Sequence, residues 1–173
     1  MLSLVIPAYA GIHVFELFCR VDASFRWHDS ISLSVLRNFS YLDQISTYIR
    51  WLENPDIAKL VYDAILFYNT TEYEVIAFCI MPNHVHLVAD MKHKNIPLNN
   101  ILKRIKTFTA LRSNSILNRS GKFWQNENYD HVVRDGNELR RIITYVLQNP
   151  VTAGLSKKWE DWKWAYVNMK YLE

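Results

Sequence analysis

Two histidines in an apolar run are the residues of this chain best suited to metal chemistry. The segment Cys-Ile-Met-Pro-Asn-His-Val-His-Leu-Val occupies residues 79–88 and places His84 and His86 two positions apart. Side chains alternate between the two faces of a strand, so both imidazoles project from one face. The flanking residues are apolar, which predicts a buried strand, and buried imidazoles need polar partners. A metal ion is one such partner, and a purely structural histidine pair is the other interpretation.

The elements around this pair follow from local signals. Pro82 and Asn83 are turn residues, which predicts a tight reversal between strands at 74–79 and 84–89. Upstream, Asn54-Pro55-Asp56 is typical of a helix start, with Asn54 as the cap. Apolar residues at helical spacing continue from there to residue 68, so a helix with one buried face precedes the hairpin.

A tyrosine and a carboxamide form the second candidate group. The sequence predicts a helix over residues 137–149, capped by Asp135 and ended by Pro150. Tyr145 and Asn149 are four residues apart, so they lie above one another on one helix face. Such a pair is either a reactive group with its neighbour or simply a packed ring and a helix C-cap.

A third helix, predicted from Pro97 onwards, carries positive charge. Its predicted apolar stripe consists of Leu98, Ile101, Leu102, Ile105, Phe108 and Leu111 or Ile116. Between residues 101 and 122 there are six basic residues and no acidic one. This run is either a solvated face or a phosphate-binding surface. Trp124, which follows it, is either a core anchor or a platform for unpaired bases.

Size and composition set the remaining bounds. The 173 residues are 50% apolar and carry a net charge of +3, which predicts one domain whose charge matters locally rather than globally. Cys19 and Cys79 lack metal or disulfide spacing, which favours reduced core thiols and a cytoplasmic location. The apolar opening is interrupted by Pro7 and predicts neither a secretion signal nor a membrane span. Residues 1–50 offer one candidate strand, at 12–21.

Several segments, taken in order, resemble the single-tyrosine HUH transposases, and in particular the REP-associated tyrosine transposases. The likeness runs from about residue 51 to residue 166. The segments are Met-Pro-Asn-His-Val-His-Leu-Val at 81–88, Phe-Trp-Gln at 123–125, Val-Arg-Asp at 133–135, Tyr-Val-Leu-Gln-Asn-Pro-Val-Thr-Ala-Gly-Leu at 145–155 and Trp-Glu-Asp-Trp-Lys-Trp at 159–164.

This resemblance implies an α+β fold of the ferredoxin-like type, an antiparallel sheet carrying the histidine pair with helices packed on it. It implies a family domain over residues 51–173, preceded by a poorly matched segment over 1–50. His84, His86 and Asn149 would bind Mg²⁺ or Mn²⁺, and Tyr145 would be the nucleophile. His131 stands where the family is expected to have an arginine.

The implied substrate is single-stranded DNA beside a hairpin of the REP type, cut through a 5′-phosphotyrosine intermediate and rejoined. The expected DNA contacts are Lys103, Arg104, Lys106, Arg112, Trp124 and Arg134, with Lys106 the first choice for a contact near the site. The expected assembly is a monomer or homodimer, with the monomer favoured and no membrane partner. The alternative is a decayed family member that binds hairpin DNA without cutting it, as an incomplete sheet lacking the first strand would suggest.

Overall fold

The computed structural model describes residues 12–18, 49–91, 96–125 and 129–172. Within these ranges five strands form one antiparallel sheet, and three α-helices pack on it. In chain order the elements are β1 (Ile12–Phe18), α1 (Pro55–Phe67), β2 (Glu74–Ile80), β3 (His84–Asp90), α2 (Leu98–Ile116), β4 (Tyr129–Val132), α3 (Gly136–Thr152) and β5 (Ala165–Val167). The predicted helices and the predicted hairpin are all present, each with slightly different ends.

The strand order in the sheet is β4-β1-β3-β2-β5. β1 is an interior strand and pairs with β3 from Ile12 opposite Asp90 to Phe18 opposite His84. Its other edge pairs with β4. The first four strands and the two helices between them make the ferredoxin-like arrangement, so the predicted fold class is confirmed. The candidate strand at 12–21 is confirmed over residues 12–18, so the sheet has this interior strand; residues 19–48 lie outside the described ranges.

α1 begins as the sequence predicts. The Asn54 side-chain oxygen accepts hydrogen bonds from the backbone N–H groups of Asp56 and Ile57, at 2.9 and 3.4 Å. These bonds satisfy two donors that a helix start leaves without partners, and Pro55 at the first helical position needs no such partner. The buried face of α1 then packs against α2 and β2.

The helices divide between the two faces of the sheet. α1 and α2 share one core with Val85 and Leu87, whereas α3 shares a second core with Val88. Because side chains alternate along β3, residues 84, 86 and 88 face the same side. Both histidines therefore lie on the α3 side of the sheet.

The apolar stripe predicted for α2 is correct only in its first half. Ile101, Leu102 and Ile105 are buried, but Phe108, Leu111 and Ile116 are 47%, 72% and 44% exposed. In the second half the buried positions are held by two small polar residues, Thr109 and Ser113, both 0% exposed. Bulky side chains therefore face outward here, because the indole of Trp124 fills the space beneath the helix and donates to the Thr109 hydroxyl at 2.8 Å.

The predicted end of α3 at Pro150 is wrong, because the helix continues to Thr152. Proline in the last turns removes one N–H donor but leaves its carbonyl available. The Pro150 carbonyl accepts from the backbone N–H of Leu155 at 2.8 Å. The chain then leaves the helix at Gly154, whose φ of +69° is a conformation that favours glycine. At the other end, Asp135 caps the helix as predicted, accepting from the Glu138 N–H at 2.8 Å.

Candidate active site

The hairpin that carries the histidines is held from two sides. Within the turn, the Met81 N–H donates to the His84 carbonyl at 2.8 Å. From outside, the Leu52 N–H donates to the Pro82 carbonyl at 2.9 Å, which ties the segment before α1 to the turn. The first residue of β3 is thus fixed by backbone bonds before any side chain is considered.

The two imidazoles face each other at the start of β3. His84 and His86 are each 2% exposed, and their Nε2 atoms lie 2.8 Å apart. The rings meet nearly at right angles, with centroids 4.5 Å apart. His84 Nδ1 lies 2.6 Å from the Asn83 side-chain oxygen. Burial, and secondly the neighbouring His86, hold the pKa of His84 well below its usual range, so this ring is neutral near pH 7.

Tyr145 lies against this pair. Its ring centroid is 5.5 Å from that of His86, in an edge-to-face contact, and the side chain is half-buried. α3 positions it by packing on β2 and β3 through the second core. The structure therefore brings the predicted nucleophile to the predicted metal ligands.

Asn149 lies one turn further along α3 and is 5% exposed. Its side-chain NH₂ donates to the Tyr145 carbonyl at 2.8 Å, so the amide is oriented by its own helix. It is not the helix C-cap, a role taken by Ala153. A carboxamide fixed through its nitrogen leaves its oxygen as the atom suited to a hard cation.

The donor atoms fit a divalent ion. The two buried Nε2 atoms lie 2.8 Å apart, so one ion could be bound by both, and imidazole nitrogens are ligands for divalent metals. Among the described residues no group of three or more His, Cys, Asp or Glu side chains could hold an ion. A third protein ligand from this region would thus have to be of another type, such as the Asn149 amide.

The basic residues of α2 lie across the sheet from the tyrosine, because α2 packs on the sheet face opposite α3. The expectation that Lys106 makes a DNA contact near the site stays a prediction. Lys106 Nζ donates to the Gln125 carbonyl at 2.7 Å. Lys103, Lys106 and Lys122 all line an open cleft of about 590 Å³ between α2 and residues 121–125.

Two of the predicted DNA contacts are used within the protein. Arg104 donates to both carboxylate oxygens of Glu72, at 2.8 and 2.9 Å, and its guanidinium lies 4.1 Å from the centroid of the Tyr68 ring. Trp124 is 4% exposed, so the interpretation as a core anchor is correct and its ring offers no open face for base stacking. Arg104 had a surface-type signal in the sequence, but its partners Glu72 and Tyr68 lie outside its own segment.

Two predicted contacts remain accessible at the surface. Arg112 is exposed, with its guanidinium carbon 5.6 Å from the Phe108 ring centroid. Arg134 is exposed at the start of α3, beside a network that the sequence analysis missed. In that network Glu138 accepts from the Arg134 N–H at 2.6 Å and lies 3.1 Å from His131 Nε2. His131, which stands in place of the expected arginine, thus links β4 to the first turn of the tyrosine helix.

Comparison with known proteins agrees with this geometry. Residues 55–149 match the family described as "Transposase IS200 like", which is more than half of the chain. The chain therefore belongs to the IS200-like transposase family. The matched range includes both histidines, Tyr145 and Asn149.

Two individual proteins illustrate the similarity. A Haemophilus influenzae protein provisionally named as a REP-associated tyrosine transposase is 26% identical over 102 residues, which cover 54% of this chain and 58% of that protein. The chain thus spans less than two thirds of this relative. A solved REP-associated tyrosine transposase bound to a REP hairpin superposes with a TM-score of 0.57, covering 95% of this chain and 81% of that one at 15% identity. This second likeness supports the HUH fold.

No helix in the described ranges is both long and apolar enough to cross a bilayer. The cytoplasmic location and the monomeric state stay predictions.

Proposed function

We propose that this protein is a metal-dependent single-stranded DNA transposase that cuts beside a hairpin of the REP type and rejoins strands through Tyr145. The observation that carries the proposal is the edge-to-face contact of Tyr145 with His86, next to the paired Nε2 atoms. A nucleophile and a pair of metal-type donors meet there in a family whose description is transposase.

The phenolic oxygen of Tyr145 attacks the phosphorus of a DNA phosphodiester, an oxygen–phosphorus bond forms, and the bond from phosphorus to the 3′ oxygen breaks. The phenolic proton is lost to solvent and the departing 3′ oxygen gains one, so the products are a 5′-phosphotyrosine and a free 3′ hydroxyl. Attack on the phosphotyrosine by another 3′ hydroxyl reverses these changes and joins new strands, so no nucleotide cofactor is consumed.

The roles of the surrounding residues follow from their positions. His84, His86 and the Asn149 oxygen would hold Mg²⁺ or Mn²⁺, which when bound polarises the phosphate and stabilises the charge that develops on it. All three ligands are neutral groups, so they do not cancel the charge of the ion. α3 restricts the motion of the Tyr145 ring before the reaction. Less entropy is therefore lost when the phenolic oxygen reaches the phosphorus.

The DNA contacts are spread over both sides of the sheet. We assign phosphate contacts to Lys103, Lys106 and Arg112 on α2, and to Arg134 at the start of α3. Lysine and arginine contacts to phosphate position a strand without reading its sequence. Because α2 lies across the sheet from Tyr145, a strand bound on α2 must pass around an edge of the sheet to reach the nucleophile.

A covalent-adduct assay tests the proposal. Labelled single-stranded oligonucleotides from hairpin repeats flanking the gene are incubated with the protein, with Mn²⁺ or with chelator, and resolved under denaturing conditions. We expect a protein–DNA band that requires both Mn²⁺ and Tyr145. Tyr145→Phe removes the nucleophile, and Tyr62→Phe on α1, which lies on the other face of the sheet, is the matched control.

The outcomes separate the two function classes. An adduct formed equally by Tyr145→Phe would refute the assignment of the nucleophile. The absence of any adduct, with the same oligonucleotides still shifting the protein on a native gel, would favour the binding module. β1 is present inside the sheet, which removes the structural reason for expecting that second result.

A further inference from the structure

We propose that Asn83 is a positioning residue that fixes the tautomer of His84, so that His84 Nε2 is set for a metal ion while His86 must change tautomer when the ion binds. The inference rests on the proposed function, because it concerns the same site. Nothing in the composition or spacing of the sequence distinguishes Asn83 from an ordinary turn residue.

Asn83 is buried although it lies in a turn. Turn residues usually lie at the surface, but the turn side chain of Asn83 is only 9% exposed. A buried carboxamide requires hydrogen-bond partners, and its side-chain oxygen lies 2.6 Å from His84 Nδ1. This short contact places a polar group directly behind the ring, on the side away from His86.

The hydrogen bond between Asn83 and His84 can have only one direction. A carboxamide oxygen can only accept, so His84 Nδ1 carries the proton. In a neutral imidazole the other nitrogen then holds a lone pair, and His84 Nε2 is the atom that faces His86. Metal-ligating histidines commonly donate their second N–H to an acceptor in this way, which fixes the ring and its tautomer.

The tautomer of His84 determines which nitrogen of His86 carries a proton. The two Nε2 atoms lie 2.8 Å apart, a hydrogen-bond distance, so without an ion one of them must donate. Because His84 Nε2 holds the lone pair, His86 Nε2 is the donor. If both nitrogens bind an ion, neutral His86 must carry its proton on Nδ1 instead of Nε2, whereas the tautomer of His84 stays the same.

The test combines a nitrogen-15 spectrum with direct metal binding. In the ion-free wild type, long-range proton–nitrogen correlations should show His84 protonated at Nδ1 and His86 protonated at Nε2. Addition of Mg²⁺ should leave His84 Nδ1 protonated and deprotonate His86 Nε2. An ion-free protein with His84 protonated at Nε2 would overturn the inference, whatever any variant does.

Variants supply the second readout, Mn²⁺ affinity measured by the electron paramagnetic resonance signal of the free ion. Asn83→Leu removes the acceptor and should weaken Mn²⁺ binding by about 10–100-fold, the usual effect of losing a partner behind a metal ligand. Asn83→Asp keeps an acceptor and should retain binding within a few-fold. The matched control is Asn69→Leu, since Asn69 accepts from the Val75 N–H at 2.9 Å at the far end of β2 and should affect stability without affecting binding.

The failures of this inference and of the proposed function can be told apart. Equal Mn²⁺ affinity for wild type and Asn83→Leu, with an unchanged His84 tautomer, refutes the role of Asn83 and leaves the metal site intact. If wild type binds no Mn²⁺, the metal-dependent mechanism fails, while the ion-free spectrum still decides the tautomer. If Asn83→Leu does not fold, the wild-type spectrum and Asn83→Asp decide the question.

Discussion

The hydroxyl of Thr109 should stabilise the protein through Trp124, whereas that of Ser113 should not. The Trp124 indole N–H donates to Thr109 Oγ1 at 2.8 Å, and both side chains are buried. Thr109→Val keeps the shape but leaves the indole N–H without its acceptor. An unsatisfied buried donor costs about 1–3 kcal/mol, and each kcal/mol lowers Tm by about 2–4 °C in a chain of this size, so we expect a loss of roughly 2–12 °C.

Ser113 gives a control of opposite sign on the same helix face. Its hydroxyl is buried and has no hydrogen-bond partner among the described residues. Ser113→Ala removes an uncompensated polar group and raises helix propensity, so we expect a gain of about 0.5–2 kcal/mol. Thermal and urea unfolding, followed by circular dichroism, measure both variants.

A double-mutant cycle tests the partnership itself. Trp124→Phe removes the N–H donor, so in that background Thr109→Val should cost much less than it does in the wild type. A Thr109→Val protein as stable as wild type would refute the reasoning. So would an equal cost in both backgrounds, which would mean that the hydroxyl acts through some other contact.

Three further predictions concern single groups. Asn54→Ala should lower the free energy of unfolding by about 1 kcal/mol, because two N–H groups lose their acceptor, and an unchanged urea midpoint would contradict the cap. Burial raises the pKa of the Cys79 thiol to about 12, so in a Cys19→Ser background a thiol reagent at pH 8 should react only on unfolding, and rapid labelling of the folded protein would contradict this burial. The hydrogen bond from the Glu138 N–H lowers the pKa of Asp135 below its ordinary 3.8, so the stability it gives is complete above pH 3.8 and is lost as pH falls through the lower folded value. The Tm advantage of wild type over Asp135→Asn should therefore shrink below pH 3.8, and a constant difference would refute the link.

The fold was largely predictable because its main elements have local signals. Asn54-Pro55 marks the start of α1, Pro82-Asn83 marks the hairpin, and Asp135 marks the start of α3. β5 was missed, since three half-buried residues carry no measurable period. The end of α3 was misplaced because Pro150 is a local stop signal, whereas the true end depends on Gly154 and on bonds to the Pro150 carbonyl.

The candidate site was predictable where the chemistry lies in the residue type. Two histidines at strand spacing, and a tyrosine four residues before an asparagine, define their faces without tertiary information. What the sequence could not supply is the partner of each side chain across the fold. Arg104 pairs with Glu72 and the Trp124 indole donates to Thr109, and neither partner follows from spacing.

The position of β1 has a consequence for how the chain folds. β1 comes first among the described strands, yet it lies inside the sheet between β3 and β4, and β4 lies beyond both α1 and α2 along the chain. Closing such long loops lowers the entropy of the chain before the strand pairs form and stabilise the fold. During synthesis from the N-terminus, both edges of β1 stay unpaired until β3 and β4 have been translated. Completion of the sheet is therefore a late event. A translation product that stops before residue 129 lacks β4, so β1 would be an unpaired edge strand.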